Sequence, residues 1–163
     1  MYVDSVLYKD FHNFIDYINP DDKIHNSIRS HRLKCLCSIE IPGICIHRYI
    51  DKIIDNIYQT DSHIDGLIIY TIAIILRMAR YIRIDKYNIH RLFAGVLMLS
   101  QKMYDDIHYN NDYWSYICGV TLENMNMIEL EILLTLDFNL FVSHREMLSL
   151  VKCIKRIRNF EYI

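Results

Sequence analysis

Two short clusters hold the residue types best able to do chemistry. Cys35-x-Cys37 and Cys45-x-His47 bring thiolates and an imidazole, good tetrahedral zinc ligands, close together in the sequence. Structural zinc sites usually place two or more residues between paired ligands, and here there is only one, so the spacing favours buried free thiols over a metal centre. The eight histidines are scattered and suit surface or capping roles. Asp105-Asp106 are adjacent carboxylates of the kind used in acid–base chemistry. No glycine-rich phosphate loop, nucleophile elbow or metalloprotease helix motif accompanies them. The chain therefore reads as a non-enzyme with no cofactor and no metal.

Two other clusters suggest nucleic acid at first sight. Tyr104, Tyr109, Tyr113 and Tyr116 resemble a stacking platform, and Lys152, Lys155, Arg156 and Arg158 form a basic group near the C-terminus. Stacking without a basic groove is weak evidence, and 18 Lys+Arg against 20 Asp+Glu leave a net charge of −2, not the basic excess of a general nucleic-acid binder. The tyrosines suit helix packing, and the basic group suits a helix end opposing its dipole.

The elements that position these residues are helices. Apolar residues recur three and four apart almost throughout, which puts them on one helical face, where strand residues would alternate. Isoleucine occurs 28 times, so β-propensity is discounted as a compositional bias. Leu7, Phe11, Ile15 and Ile18 mark a first helix stopped by Pro20. A short second helix through Ile24 and Ile28 is expected within residues 22–45, before Pro42-Gly43. Ile50, Ile53, Ile54 and Ile57 form the next stripe, and Ile64 to about Ile82 is apolar nearly all round, as in a helix central to a bundle.

The segment from Asn88 to Tyr104 is expected to be the central helix, with Ala94 and Gly95 admitting close approach by a neighbour. A short aromatic helix, Tyr109 to Cys118, ends at Gly119. Thr121 then caps a helix that buries Met125, Ile128, Ile132 and Leu136 and breaks at Asp137-Phe138-Asn139. The last helix, about His144 to Arg158, is expected to bury Leu148, Val151 and Ile154.

Composition sets outer limits. At 163 residues and 52% apolar content the chain can bury a substantial core as one domain, and four Gly and two Pro are too few for a turn-rich β-sandwich. The longest apolar stretch, Leu67–Leu76, is well short of the roughly 20 residues a membrane span needs. No secretory signal opens the sequence and the cysteine count is odd, so the expected setting is reducing and intracellular, nuclear and/or cytoplasmic.

The wording of the sequence goes further than its periodicity. Asn88-Ile89-His90-Arg91-Leu92, Lys102-Met103-Tyr104-Asp105-Asp106, Tyr109-Asn110-Asn111, Gly119-Val120-Thr121 and Met125-Asn126-Met127-Ile128-Glu129-Leu130-Glu131, in that order and spacing, closely resemble the P/U-type cyclins. The resemblance runs from about Ile46 to Leu140. It implies an all-α fold: a single five-helix cyclin box at residues 46–141, an N-terminal helical extension at 1–45 and a C-terminal helix at 142–163. In function it implies a non-catalytic subunit that binds a PSTAIRE-type cyclin-dependent kinase and holds that kinase's regulatory helix inward. The kinase needs its strand Lys paired with the helix Glu before phosphates and metal are correctly held.

Carried over residue by residue, the family's kinase-contacting Lys and Glu fall on Lys102 and Glu129. Leu133, Phe138 and Leu140 match apolar positions that pack on the same kinase helix, and Met103 stands where an aromatic is common. At least two of Leu133, Phe138 and Leu140 are expected on an exposed apolar patch, which could also support self-association when unpartnered. The family's substrate-docking patch is replaced by Ile46-His47-Arg48-Tyr49-Ile50, and its buried Arg/Asp pair is missing, Leu76-Arg77 standing at the acidic position. Packing alone is then expected to anchor that helix. These losses keep a second function open, a cyclin-fold scaffold or transcription-associated adaptor that activates no kinase.

Overall fold

The computed structural model describes residues 6–18, 35–58 and 64–160, and every regular element among them is an α-helix. In chain order these are α1 (Val6–Ile18), α2 (Ile46–Tyr58), α3 (Ile64–Met78), α4 (Ile89–Tyr104), α5 (Asn111–Cys118), α6 (Leu122–Thr135) and α7 (His144–Phe160). The all-α class expected from the sequence is observed, with five helices, α2 to α6, flanked by α1 and α7. Pro20 and the short helix expected through Ile24 and Ile28 lie outside the described residues, while residues 35–45 carry no helix.

Local chemistry sets several ends. The Asn110 side chain accepts from the Tyr113 N–H at the start of α5, and Gly119 closes that helix in the left-handed conformation at φ 68°. The Thr121 hydroxyl accepts from the Asn124 N–H at the start of α6, where Glu123 sits favourably by the positive helix end. α3 stops at Met78, short of Ile82, and residues 79–81 form a turn.

α4 is the axis of the fold. It buries twelve of its sixteen residues and touches α2, α3, α5 and α6. The crossing with α6 is set by Gly95, where an added Cβ would lie 2.4 Å from Ile128 Cγ2 and 2.7 Å from Ile132 Cδ1. α3 packs along α4 and also meets α1 and α7. A second close approach lies at Gly66, against which the Tyr104 hydroxyl rests.

α3 is held by more than packing, which corrects the expectation for it. Tyr70 and Arg77, seven residues apart and so on one face, hold the chain beyond α6. The Tyr70 hydroxyl donates to the Leu140 carbonyl at 2.8 Å. Arg77 donates to the carbonyls of Asn139 and Phe141 and to both carboxylate oxygens of Glu146, at 2.8–3.0 Å. On the opposite side, residues 35–38 are strapped to the helices: Arg91 donates to the Cys35 carbonyl, Ser38 N–H to the Tyr87 carbonyl, and Leu36 N–H to Glu131 Oε2. Burial raises the Glu131 carboxyl above its usual range, and the Leu36 and Cys35 amides draw it back.

Three further expectations are corrected. Leu148 is 48% exposed and Val151 only partly buried, and α7 presents Met147 and Leu150 to the core beside the expected Ile154. None of the five cysteines is in a disulfide, yet only Cys118 is buried, Cys45 and Cys153 being exposed. Two histidines do come together. His12 of α1 and His47 of α2 stack with ring centroids 4.9 Å apart and their Nδ1 atoms 2.6 Å apart, while their Nε2 atoms reach Asp51 and Asp16. Among the described residues, no three His, Cys, Asp or Glu are arranged to hold a metal ion, and no helix is long and apolar enough to cross a membrane.

Two outcomes follow. Gly95→Ala overpacks the α4–α6 crossing and costs about 1–3 kcal/mol, read as a lower urea midpoint; no loss would mean α6 gives way freely. The second concerns pH. Burial lowers the pKa of His90, whose Nε2–H donates to the Ile44 carbonyl at 2.9 Å, and lowers that of His12 despite Asp51. The folded chain therefore binds fewer protons than the unfolded one, and its stability falls as pH drops through the unfolded histidine value of 6.5 toward the lowered folded value. His90→Gln, which keeps a donor for Ile44, should flatten the midpoint profile between about pH 7 and 5. An unchanged slope would exclude His90 as a source.

Candidate functional site

At the C-terminal end of α4, two consecutive residues do different work. Gln101 is buried, and its Oε1 accepts from the Tyr109 N–H at 3.3 Å and from the indole N–H of Trp114 at 3.2 Å, docking α5 against α4. Lys102 points to the edge of that junction, where its Nζ lies 2.6 Å from Glu129 Oε1 of α6. Gly95 and Lys102 are seven residues apart and share a face of α4, so the close crossing also brings Lys102 to α6.

Asn111, the first residue of α5, completes the cluster. Its Oδ1 accepts from Lys102, and its Nδ2 donates to Glu129 Oε2 at 2.6 Å and to Asn126 Oδ1 at 2.7 Å. The Lys102 and Glu129 side chains are 22% and 20% exposed, so the pair is reachable from solvent and contributes about 1 kcal/mol or less to folding. Asn111 and Asn126 occur in the motifs that carry the family resemblance, but sequence reasoning gave them no role. Their signal was spacing, since Asn126 and Glu129 are three apart on one helical face.

The structure separates the four apolar site residues. Met103 is 48% and Phe138 62% exposed, Leu133 is half-buried against the core, and Leu140 is buried at 4%. Leu140 thus belongs to the core, its carbonyl taken by Tyr70. Of the three residues expected on an exposed apolar surface only Phe138 is exposed; the other exposed large apolar side chains close to it in sequence are Phe141 and, on α6, Met127, Leu130 and Leu134. These last three recur at i, i+3 and i+7. α6 therefore has two apolar faces, one on the core through Met125, Ile128 and Ile132 and one bare. A single expected stripe could not reveal the second.

The turn after α6 is strained. The Phe138 N–H donates to the Leu133 carbonyl at 2.8 Å, closing the helix, and Asp137 and Phe138 adopt φ of 50° and 57°. This left-handed region is costly for a bulky aromatic, of order 1–3 kcal/mol. Phe138 carries that cost while mostly exposed, so the fold itself gains little from the aromatic ring.

A family model described as Cyclin matches residues 11–140. Cyclin-U4-2 of Arabidopsis thaliana is 31% identical over 124 residues, covering 76% of this chain and 57% of that protein. Cyclin-U4-3 of the same plant is 31% identical over 103 residues, covering 63% and 46%. A fission-yeast protein, Schizosaccharomyces pombe "PHO85 cyclin-like protein psl1", is 28% identical over 124 residues, covering 75% and 51%. The chain spans about half the length of the curated relatives it matches.

Phe138→Asn tests the reading of the turn. Asn tolerates the left-handed region, so the variant should match or exceed the wild-type urea midpoint, by up to about 1 kcal/mol. A loss larger than that would make Phe138 a packing residue.

Proposed function

The chain belongs to the cyclin family, in its P/U-type branch, and we propose that it is the non-catalytic subunit of a PSTAIRE-type cyclin-dependent kinase. In this reading Lys102 and Glu129 meet the start of the kinase's regulatory helix. Met103, Leu133 and Phe138, with the bare stripe Met127, Leu130 and Leu134, pack on that helix, and Leu140 supports the turn from within. The observation that carries the proposal is a hydrogen-bonded Lys102–Glu129 pair joining α4 to α6, a helix that also carries exposed apolar side chains and leads to a strained, exposed Phe138.

The physical logic is a population shift. A kinase alone favours the helix-out conformer, and a surface that binds only the helix-in conformer moves the equilibrium by its differential affinity. The apolar face supplies that affinity, since exposed apolar side chains gathered on one face mark a partner site. The Lys–Glu pair fixes register, because leaving either charge unpaired beneath a partner is costly. The printed name of the fission-yeast relative, a PHO85 cyclin-like protein, supports the cyclin part of this reading.

The test is reconstitution. The wild-type chain added to a purified PSTAIRE-type kinase should raise its activity on a histone-type substrate. Glu129→Lys should abolish binding with helical circular dichroism unchanged. Lost helicity would give Glu129 a folding role, and binding without activation would favour a scaffold.

A further inference from the structure

Lys102 and Glu129 sit on different helices, and two flexible side chains at an exposed edge would ordinarily sample many rotamers. They are instead bridged by a third helix. Asn111 accepts from the Lys102 ammonium with its carbonyl oxygen and donates to Glu129 Oε2 with its amide, while Asn126 receives the other amide hydrogen. Every polar group of the Asn111 side chain is thereby engaged. Its backbone is placed by two devices that do not involve the ion pair: the Asn110 side chain on the Tyr113 N–H, and the Gln101 amide oxygen on Tyr109 and Trp114. The anchor of the pair therefore rests on the buried core through Trp114, which is fully buried.

We propose that Asn111 is a positioning residue. It acts through Lys102 and Glu129, fixing both before a partner arrives and leaving one ammonium hydrogen of Lys102 for a neutral acceptor. Lys102 has three donors, of which Glu129 Oε1 and Asn111 Oδ1 take two. Because Glu129 already balances the charge, the remaining donor suits a backbone carbonyl better than a second carboxylate, and the ordering cost of the lysine is met within the free chain. The proposal rests on the kinase-contact reading above but is tested separately from it.

The first readout uses the isolated chain. In wild type the Lys102 ammonium should give a distinct, slowly exchanging 15N–1H signal. Asn111→Ala should lose that signal while keeping the thermal midpoint and helical content, since Ala is well tolerated at a first helical position. Asn126→Ala should weaken it less. Asn111→Asp should also lose it, because a carboxylate oxygen would then face Glu129. A signal retained in Asn111→Ala overturns the proposal whatever the binding data show.

The second readout uses the PSTAIRE-type kinase that the wild-type chain activates. Asn111→Ala should weaken its binding about tenfold, as expected when a charge-assisted contact loses its preorganisation. In a Lys102→Met background it should weaken binding no further. An equal loss in that background would mean Asn111 acts other than through Lys102, and overturns the proposal. Loss of the ammonium signal with Lys102→Met binding as well as wild type would instead overturn the kinase-contact reading and leave Asn111 as the residue that orders the pair.

Discussion

The arrangement depends on the close crossing of α4 and α6 at Gly95. With Ile128 and Ile132 lying where a Cβ would be, the two helices approach more closely than side chains on both would allow. Two turns along α4 on the same face, about 10 Å away, Lys102 is then within hydrogen-bond reach of Glu129, the neighbour of Ile128. The polar pair is thus a consequence of core packing. A helix buried on nearly every side, as α4 is, cannot rotate to compensate for a change at that crossing without exposing its apolar residues.

α6 is restrained in three directions and bare in a fourth. Its core face packs on α4, its Glu131 carboxylate holds the amides of the 35–36 strap, and its Glu129 side chain is tied to Lys102 and Asn111. Its end is fixed from α3, where Tyr70 and Arg77 grip the carbonyls of residues 139–141. What remains is the stripe of Met127, Leu130 and Leu134, leading to Phe138. A rigid apolar surface loses little entropy when it is covered, so more of its burial appears as affinity. The same restraints explain why a left-handed Phe138 persists, since a strained backbone survives where its surroundings determine it several times over.

Much of this was legible in the sequence where the information is local. Helix periodicity located α1 through α7, and Gly119 and Thr121 marked ends that the structure uses as a turn and a cap. What was illegible is the choice between equivalent local readings. α7 offered Leu148 as readily as Met147 and Leu150, and only docking on α1 and α3 decided which faced inward. The Arg77–Glu146 pair spans 69 residues and the His12–His47 stack 35, so neither leaves a trace in spacing. Family resemblance supplied Lys102 and Glu129. It did not supply Asn111, because a residue that positions others looks in sequence like an ordinary helix-start Asn.

The burial of Leu140 shows how a matched position divides its work in this chain. The apolar type is kept, yet the side chain faces the core and its carbonyl is held by Tyr70, whose ring lies 6.0 Å from that of Tyr104. Tyr104 in turn rests against Gly66 and follows Lys102 and Met103 directly in α4. The end of α4 that carries Lys102 and the turn that displays Phe138 are therefore joined through two aromatic rings and the backbone of α3. A displacement at either end must be absorbed by close-packed groups, and interiors at crystal-like density absorb little. The polar pair and the exposed aromatic ring consequently hold a fixed separation.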